Sequence, residues 1–322
     1  MPALPISLAC WNYDRTRALI DGSVRPDGIS LRTEVMRPRI AFERMLAGEF
    51  DVSEMSFSTY ISMKGRNEDG LVAIPVMLSK MFRHDCIYVR RDAGITAPQQ
   101  LAGLRVGTMR FNSTAIVFAK ALLQHDYGVN ARDIEWFLGG VNHGMDVKRP
   151  SDAPAEVRIR SIAKDRTLDG MLLDRELDAL ITQDIPRSFF DRPDEVTRLI
   201  ADFKSAEIAY FKRTKIFPIM HIVAIRASVY RANPWIARSL YDAFSLAKDG
   251  ALKALYDTDA LHLSLPFLID HLDEAIQTFG TDFYAYGVEP NRASIAALCR
   301  YLFEQGLSPR LVDVDELFAD VN

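Results

Sequence analysis

Residues 210–226 read YFKRTKIFPIMHIVAIR, with three basic residues, a Phe-Pro step and a histidine immediately before an alternating apolar run. Residues 80–94, KMFRHDCIYVRRDAG, repeat the arrangement upstream, with Arg83 and His84 at the mouth of a second apolar run. Alternation with a period of two is strand character. In a chain with six histidines, His84 and His221 therefore stand at the entries to two strands. The pair reads as two crossover strands between lobes, 84–91 outward and 219–226 on the return, each bringing a histidine to an interlobe cleft.

The flanking sequence supplies the lobes. PISLACW at 5–11 and GISLRTEV at 28–35 read as strands around a DGSVRPDG turn. Ile40, Phe42, Met45 and Leu46 mark a helical face, and EFDVSEMS at 49–56 returns to strand. A second βα series follows. LRVGTM at 104–109 is a strand, FNSTAIVFAKALLQHDYG at 111–128 a helix, and DIEWFL at 133–138 a strand. After a Gly-, Pro- and charge-rich excursion, TLDGMLLDRELDALITQ at 167–183 gives a short helix and a strand. Long helices begin at Pro234. The rhythm predicts an α/β protein with mostly parallel sheets, whose ligands gather at the carboxyl ends of the strands. Lobe 1 is expected from residues 1–91 plus 219–322, and lobe 2 from the inserted block 92–218.

Size and composition agree with two lobes. The chain has 322 residues, and about 150 per domain is the usual expectation. Hydrophobic content of 48% and charged content of 25% are ordinary globular values. A net charge of −4 gives no reason to expect nucleic acid, whose binders usually show a basic face. No stretch approaches the roughly 18 apolar residues of a membrane span, and the start has no basic segment followed by an apolar core, so a cytoplasmic location is expected. Cys10, Cys86 and Cys299 are widely spaced and form no CxxC, which favours buried free thiols over a disulfide or metal cage.

Several stretches together carry a resemblance. They are LACWNYDRTRALIDGSVRPDGISL at 8–31, RMLAGEFDVSEMSFSTYI at 44–61, AIPVMLSKMFRHDCIYVRRDAGI at 73–95, RTKIFPIMHIVAIR at 213–226, NPWIARSLYDAFSLAK at 233–248 and YGVEPNR at 286–292. In this order they resemble the 4,5-dihydroxyphthalate decarboxylase family. The resemblance implies a type II periplasmic-binding-protein-like fold used as a cytoplasmic carboxy-lyase, acting on a small aromatic carboxylate. No organic cofactor is expected, a divalent metal is left open, and so is a homo-oligomer. The rival reading is a solute-binding protein of the same fold without chemistry.

A phthalate-type substrate carries two carboxylates, which suit guanidinium groups and helix N-termini. Ser56, Ser58 and Thr59 stand at one strand-to-helix junction, and Asn112, Ser113 and Thr114 at another; each set also reads as plain N-caps. Asp14 and Arg15 directly follow the first strand, with helix-end electrostatics as the alternative for Asp14. Arg83 precedes one crossing and Arg213 the other. His143 lies in GGVNHGMD, where the flanking glycines suggest a loop able to reach over a site. Decarboxylation of a hydroxylated ring requires a proton at the carbon that loses CO2, and histidine suits that task near neutral pH. His221 or His84 is the expected donor, with the other acting on a phenol. Arg15, Arg83 and the hydroxyl clusters are expected to hold carboxylates, with Asp14, Arg213 and His143 beside them.

Overall fold

The computed structural model describes residues 2–321. Its main elements, in chain order, are β1 (Leu4–Cys10), α1 (Asp14–Ile20), β2 (Ile29–Val35), α2 (Pro38–Leu46), β3 (Val52–Ser56), α3 (Phe57–Gly65) and β4 (Leu71–Lys80). Then come β5 (Ile87–Arg90), β6 (Arg105–Thr108), α4 (Thr114–Tyr127), β7 (Glu135–Leu138), β8 (Arg158–Ser161), α5 (Leu168–Leu173), β9 (Ala179–Ile181), α6 (Arg187–Asp191), β10 (Val196–Arg198) and α7 (Phe203–Thr214). The last are β11 (Ile219–Arg226), α8 (Ala227–Ala232), α9 (Ile236–Ala254), α10 (Leu268–Phe279) and α11 (Arg292–Glu304).

Two compact units result. The first contains the stretch to Lys80, Ile219–Ile295 and the stretch from Val312. Its sheet runs β2-β1-β3-β11-β4, with β1 parallel to β2 and β3, and β11 antiparallel to both its neighbours. The carboxyl ends of β1, β2, β3 and β4 and the start of β11 consequently share one sheet edge. Central β3 is buried along its whole length, so even its Glu54 is enclosed. Along α9, Ile236, Leu240, Ala243, Phe244 and Ala247 recur at helical spacing and are buried. The carboxyl-terminal stretch covers β4, where Ala319 N–H donates to Ala73 O and Tyr60 Oη to Leu317 O.

The second unit contains Met81–Pro218 and Ala296–Leu311. Its sheet runs β10-β5-β9-β6-β7-β8, in which β5 is antiparallel to β9 and β10. Its central helix α4 is buried from Thr114 to Leu123, Lys120 included.

The boundary differs from the sequence expectation in two places. Residues 81–91 belong to the second unit, not the first, because β5 pairs with β9 and β10. The anticipated crossing strand 84–91 is therefore a connector followed by a strand of the second sheet, and β11 lies entirely in the first. Residues 296–311 also join the second unit, since Tyr301 packs on Phe118 and Gln305 Nε2 donates to Val117 O. Among the described residues no helix is long and apolar enough to cross a membrane.

Candidate active site at the carboxyl edge of the first sheet

Glu54 organises this edge. Its carboxylate has no solvent exposure and accepts from Tyr13 Oη at 2.6 Å, from the Trp11 N–H at 3.1 Å and, at 2.7 Å, faces His221 Nδ1. Burial would raise its pKa, but the hydrogen bond and charge of His221, then Tyr13 and the Trp11 N–H, hold it below the ordinary glutamate value. The sheet register explains the meeting. β11 enters antiparallel beside β3, which sets His221 opposite Ser56, and opposite Ser79 on β4. Phe42 of α2 meets the imidazole edge-on at 5.0 Å. With Nδ1 committed to Glu54, Nε2 is the ring nitrogen left for chemistry.

Arg15 extends the site from the start of α1. Its Nε donates to Leu78 O at 2.6 Å and its Nη1 to Asp14 at 2.9 Å. The guanidinium lies over the Tyr13 ring at 4.1 Å and the Tyr284 ring at 4.7 Å. Such stacking fixes a planar cation in orientation. Lys80 ends β4 nearby, donating from Nζ to Ala285 O at 2.8 Å and lying 5.3 Å from the same Tyr284 ring. Burial lowers its pKa to about 7 against the pull of the Asp282 charge.

The hydroxyl cluster here behaves as a cap. Ser56 is the N-cap of α3, accepting from the Thr59 N–H at 3.5 Å, with Ser58 Oγ 3.3 Å away. Asp14 opens α1 and accepts from the Arg15 backbone N–H at 2.8 Å. Arg15, Asp14, Ser56, Ser58, Thr59 and His221 all belong to this one edge.

Arg83, His84, Ser113, Thr114, His143 and Arg213 belong to the second unit. His84 is buried against Phe82 and Tyr210, with Nδ1 3.9 Å from Glu207 and without a hydrogen bond. Burial pushes its pKa down to about 4, so near pH 7 it is neutral and holds no proton to give from a cationic ring. Arg83 is buried beside it, with Nη1 3.6 Å from Met81 Sδ. Ser113 precedes α4 and donates to Arg110 O without capping, while Thr114 is buried in the first turn. Arg213 forms an ion pair with Asp126 at 2.7 Å in the last turn of α7, more than half exposed, which suits a cation at a helix end. His143 is exposed.

Sequence reasoning missed Glu54, Tyr13 and Lys80. The available signal for Glu54 was an ionisable residue inside a central strand, where a charge requires a partner. No group of three or more His, Cys, Asp or Glu side chains among the described residues is placed to hold a metal ion.

Comparison with known proteins places these features. The chain is 34% identical over 320 residues, 99% of its length and 97% of the relative's, to the 4,5-dihydroxyphthalate decarboxylase of Comamonas testosteroni. It is 33% identical over 214 residues to the enzyme of that name from Pseudomonas putida, covering 66% of this chain and 83% of that one. No family model matches. Among solved structures it is similar to the periplasmic aliphatic sulphonate binding protein of Escherichia coli, with TM-score 0.55 and 15% identity over 99% of this chain and 98% of that chain. A putative periplasmic sulfonate-binding protein of Methylobacillus flagellatus gives TM-score 0.54 and 13% identity over 98% and 92%. These structural likenesses speak to the fold, which is α/β and of the type II periplasmic-binding-protein kind. By sequence the chain belongs to the 4,5-dihydroxyphthalate decarboxylase family.

Proposed function

We propose that the protein is a carboxy-lyase that converts 4,5-dihydroxyphthalate to 3,4-dihydroxybenzoate and CO2. The observation that carries the reading is the Tyr13–Glu54–His221 cluster, an imidazole on a buried carboxylate at the sheet edge where such folds bind ligands. The Glu54 carboxylate engages Nδ1 and fixes the ring, leaving Nε2 as the nitrogen that gives the proton. Arg15, held by Leu78 O, Asp14 and the two tyrosine rings, is the cation that binds a substrate carboxylate.

His221 Nε2–H protonates the ring carbon bearing the leaving carboxylate. The hydroxyl para to that carbon supplies electron density as the ring takes the proton. The C–C bond then breaks, its electron pair restores aromaticity, and CO2 leaves. The net change is one proton in and one CO2 out. His84 is given no proton-donating part, because it is neutral near pH 7.

The test is direct. Purified protein incubated with 4,5-dihydroxyphthalate, with and without chelator, is expected to release CO2 and form 3,4-dihydroxybenzoate, and His221→Asn to lose about 10²-fold or more in kcat. Binding without turnover would replace the proposal with a solute-binding role. Undiminished turnover in His221→Asn would remove His221 as the donor.

A further inference from the structure

We infer that Lys80 is a specificity-determining residue, the second cation of a clamp with Arg15 that selects ligands bearing two neighbouring carboxylates. The inference rests on the functional reading above only for the place of the ligand. Lys80 is the last residue of β4, so it reaches the same sheet edge as His221, whose strand pairs Ile219 with Lys80 and His221 with Ser79. One ring ties the cations together. The Arg15 guanidinium carbon is 4.7 Å and the Lys80 Nζ 5.3 Å from the Tyr284 centroid, so they lie within about 10 Å of each other, the sum of those distances.

A separation within that limit accommodates a vicinal dicarboxylate. Each charge-assisted hydrogen bond takes up about 3 Å, and carboxyl groups on adjacent ring carbons add only a few more. Tyr284 is itself fixed, its Oη accepting from the Lys80 N–H at 2.8 Å. Groups facing the amine include Asp282 and Tyr284 of the stretch before α11, Lys248 of α9, and Arg15 of α1. On β11, the paired residue Ile219 is uncharged. Lys248 is already bound to Asp282 and Asp249, each at 2.9 Å. Lys80 Nζ donates to the Ala285 carbonyl, an acceptor that a carboxylate would outmatch. Burial leaves the cationic form of this amine only marginally favoured near pH 7, and an arriving anion would restore it.

Binding of phthalate and of benzoate to wild type, Lys80→Met and Lys80→Arg, measured by calorimetry, tests the clamp. Lys80→Met is expected to weaken phthalate about tenfold or more and benzoate less than about twofold, and Lys80→Arg to keep phthalate. Wild-type affinity for phthalate should fall as pH rises through about 7, where the amine loses its proton, and the decline should vanish in Lys80→Arg, whose guanidinium does not titrate there. Retained benzoate binding shows that Lys80→Met is folded. Equal losses for both ligands, or none for either, would overturn the clamp. A clamp that behaves as expected in a protein without decarboxylase activity would sink the enzymatic reading alone.

Discussion

His221 Nδ1 lies 2.7 Å from the Glu54 carboxylate, although 167 positions of sequence separate them. An imidazole so held has its ring orientation fixed and its Nδ1 occupied. Glu54→Gln keeps the shape and an acceptor oxygen but removes the charge. It is expected to lower kcat by about 10²-fold with little change in KM, because the loss falls on proton delivery and not on ligand contact. A KM effect alone would assign Glu54 to substrate binding.

The same carboxylate makes folding acid-sensitive. Its folded pKa lies below the 4.5 of an ordinary glutamate, so its contribution is fully present above that value and is lost as pH falls below it. In urea titrations between pH 6 and pH 3, the wild type should therefore lose more stability than Glu54→Gln. Parallel curves would contradict the depressed pKa.

Much of this molecule is legible in its sequence, and the exceptions share a cause. The alternation of 219–226 marks β11, and Asn112 to Thr114 mark the start of α4. IYVR at 87–90 also reads as a strand, but an alternating tetrapeptide does not reveal which sheet it will join, and its partners β9 and β10 are settled by tertiary packing. In α11 the apolar spacing continues without a break past Ile295, where the chain changes units. His221 is legible from its place at the start of an alternating run; Glu54 is not, because nothing local states which histidine it will meet.

In the second unit, Glu207 and His84 set opposing pH dependences. Burial, aided by the Asp85 charge, raises the Glu207 carboxyl from 4.5 to about 7, so its contribution to stability is lost as pH rises through that interval. Burial lowers His84 from 6.5 to about 4, so its contribution is present above pH 6.5 and is lost as pH falls toward 4. The two offset where they overlap. Glu207→Gln removes only the first, and its stability relative to wild type should rise between pH 4.5 and 7. A constant difference in urea midpoint across that range would show that Glu207 titrates normally.

The three thiols should be silent in the folded protein. Cys10, Cys86 and Cys299 are all buried, and burial pushes the Cys10 and Cys86 thiols up to about 12. Thiolate is the reactive form, so access and ionisation both oppose reaction. Ellman's reagent at pH 8 is expected to titrate none in the native state and all three in guanidinium chloride. Rapid native labelling would mean that one of these sites opens readily.

Glycines at two places make opposite predictions. The loop after β7 was expected to carry glycines for mobility, yet a Cβ on buried Gly140 would be driven into the His143 carbonyl. The loop has little freedom to yield, because Gly140 O accepts from the Leu168 N–H and Leu138 O from the Ile162 N–H. Gly140→Ala should therefore destabilise by about 1–3 kcal/mol, as overpacking does. Gly250 sits exposed inside α9, where an added Cβ meets nothing within 4 Å. There the cost of glycine is conformational freedom in the unfolded chain, so Gly250→Ala should stabilise by roughly 0.5–1 kcal/mol. Urea unfolding of both variants separates the two causes: a neutral Gly140→Ala would mean that the loop rearranges freely, and a destabilised Gly250→Ala would mean that this face of α9 is covered.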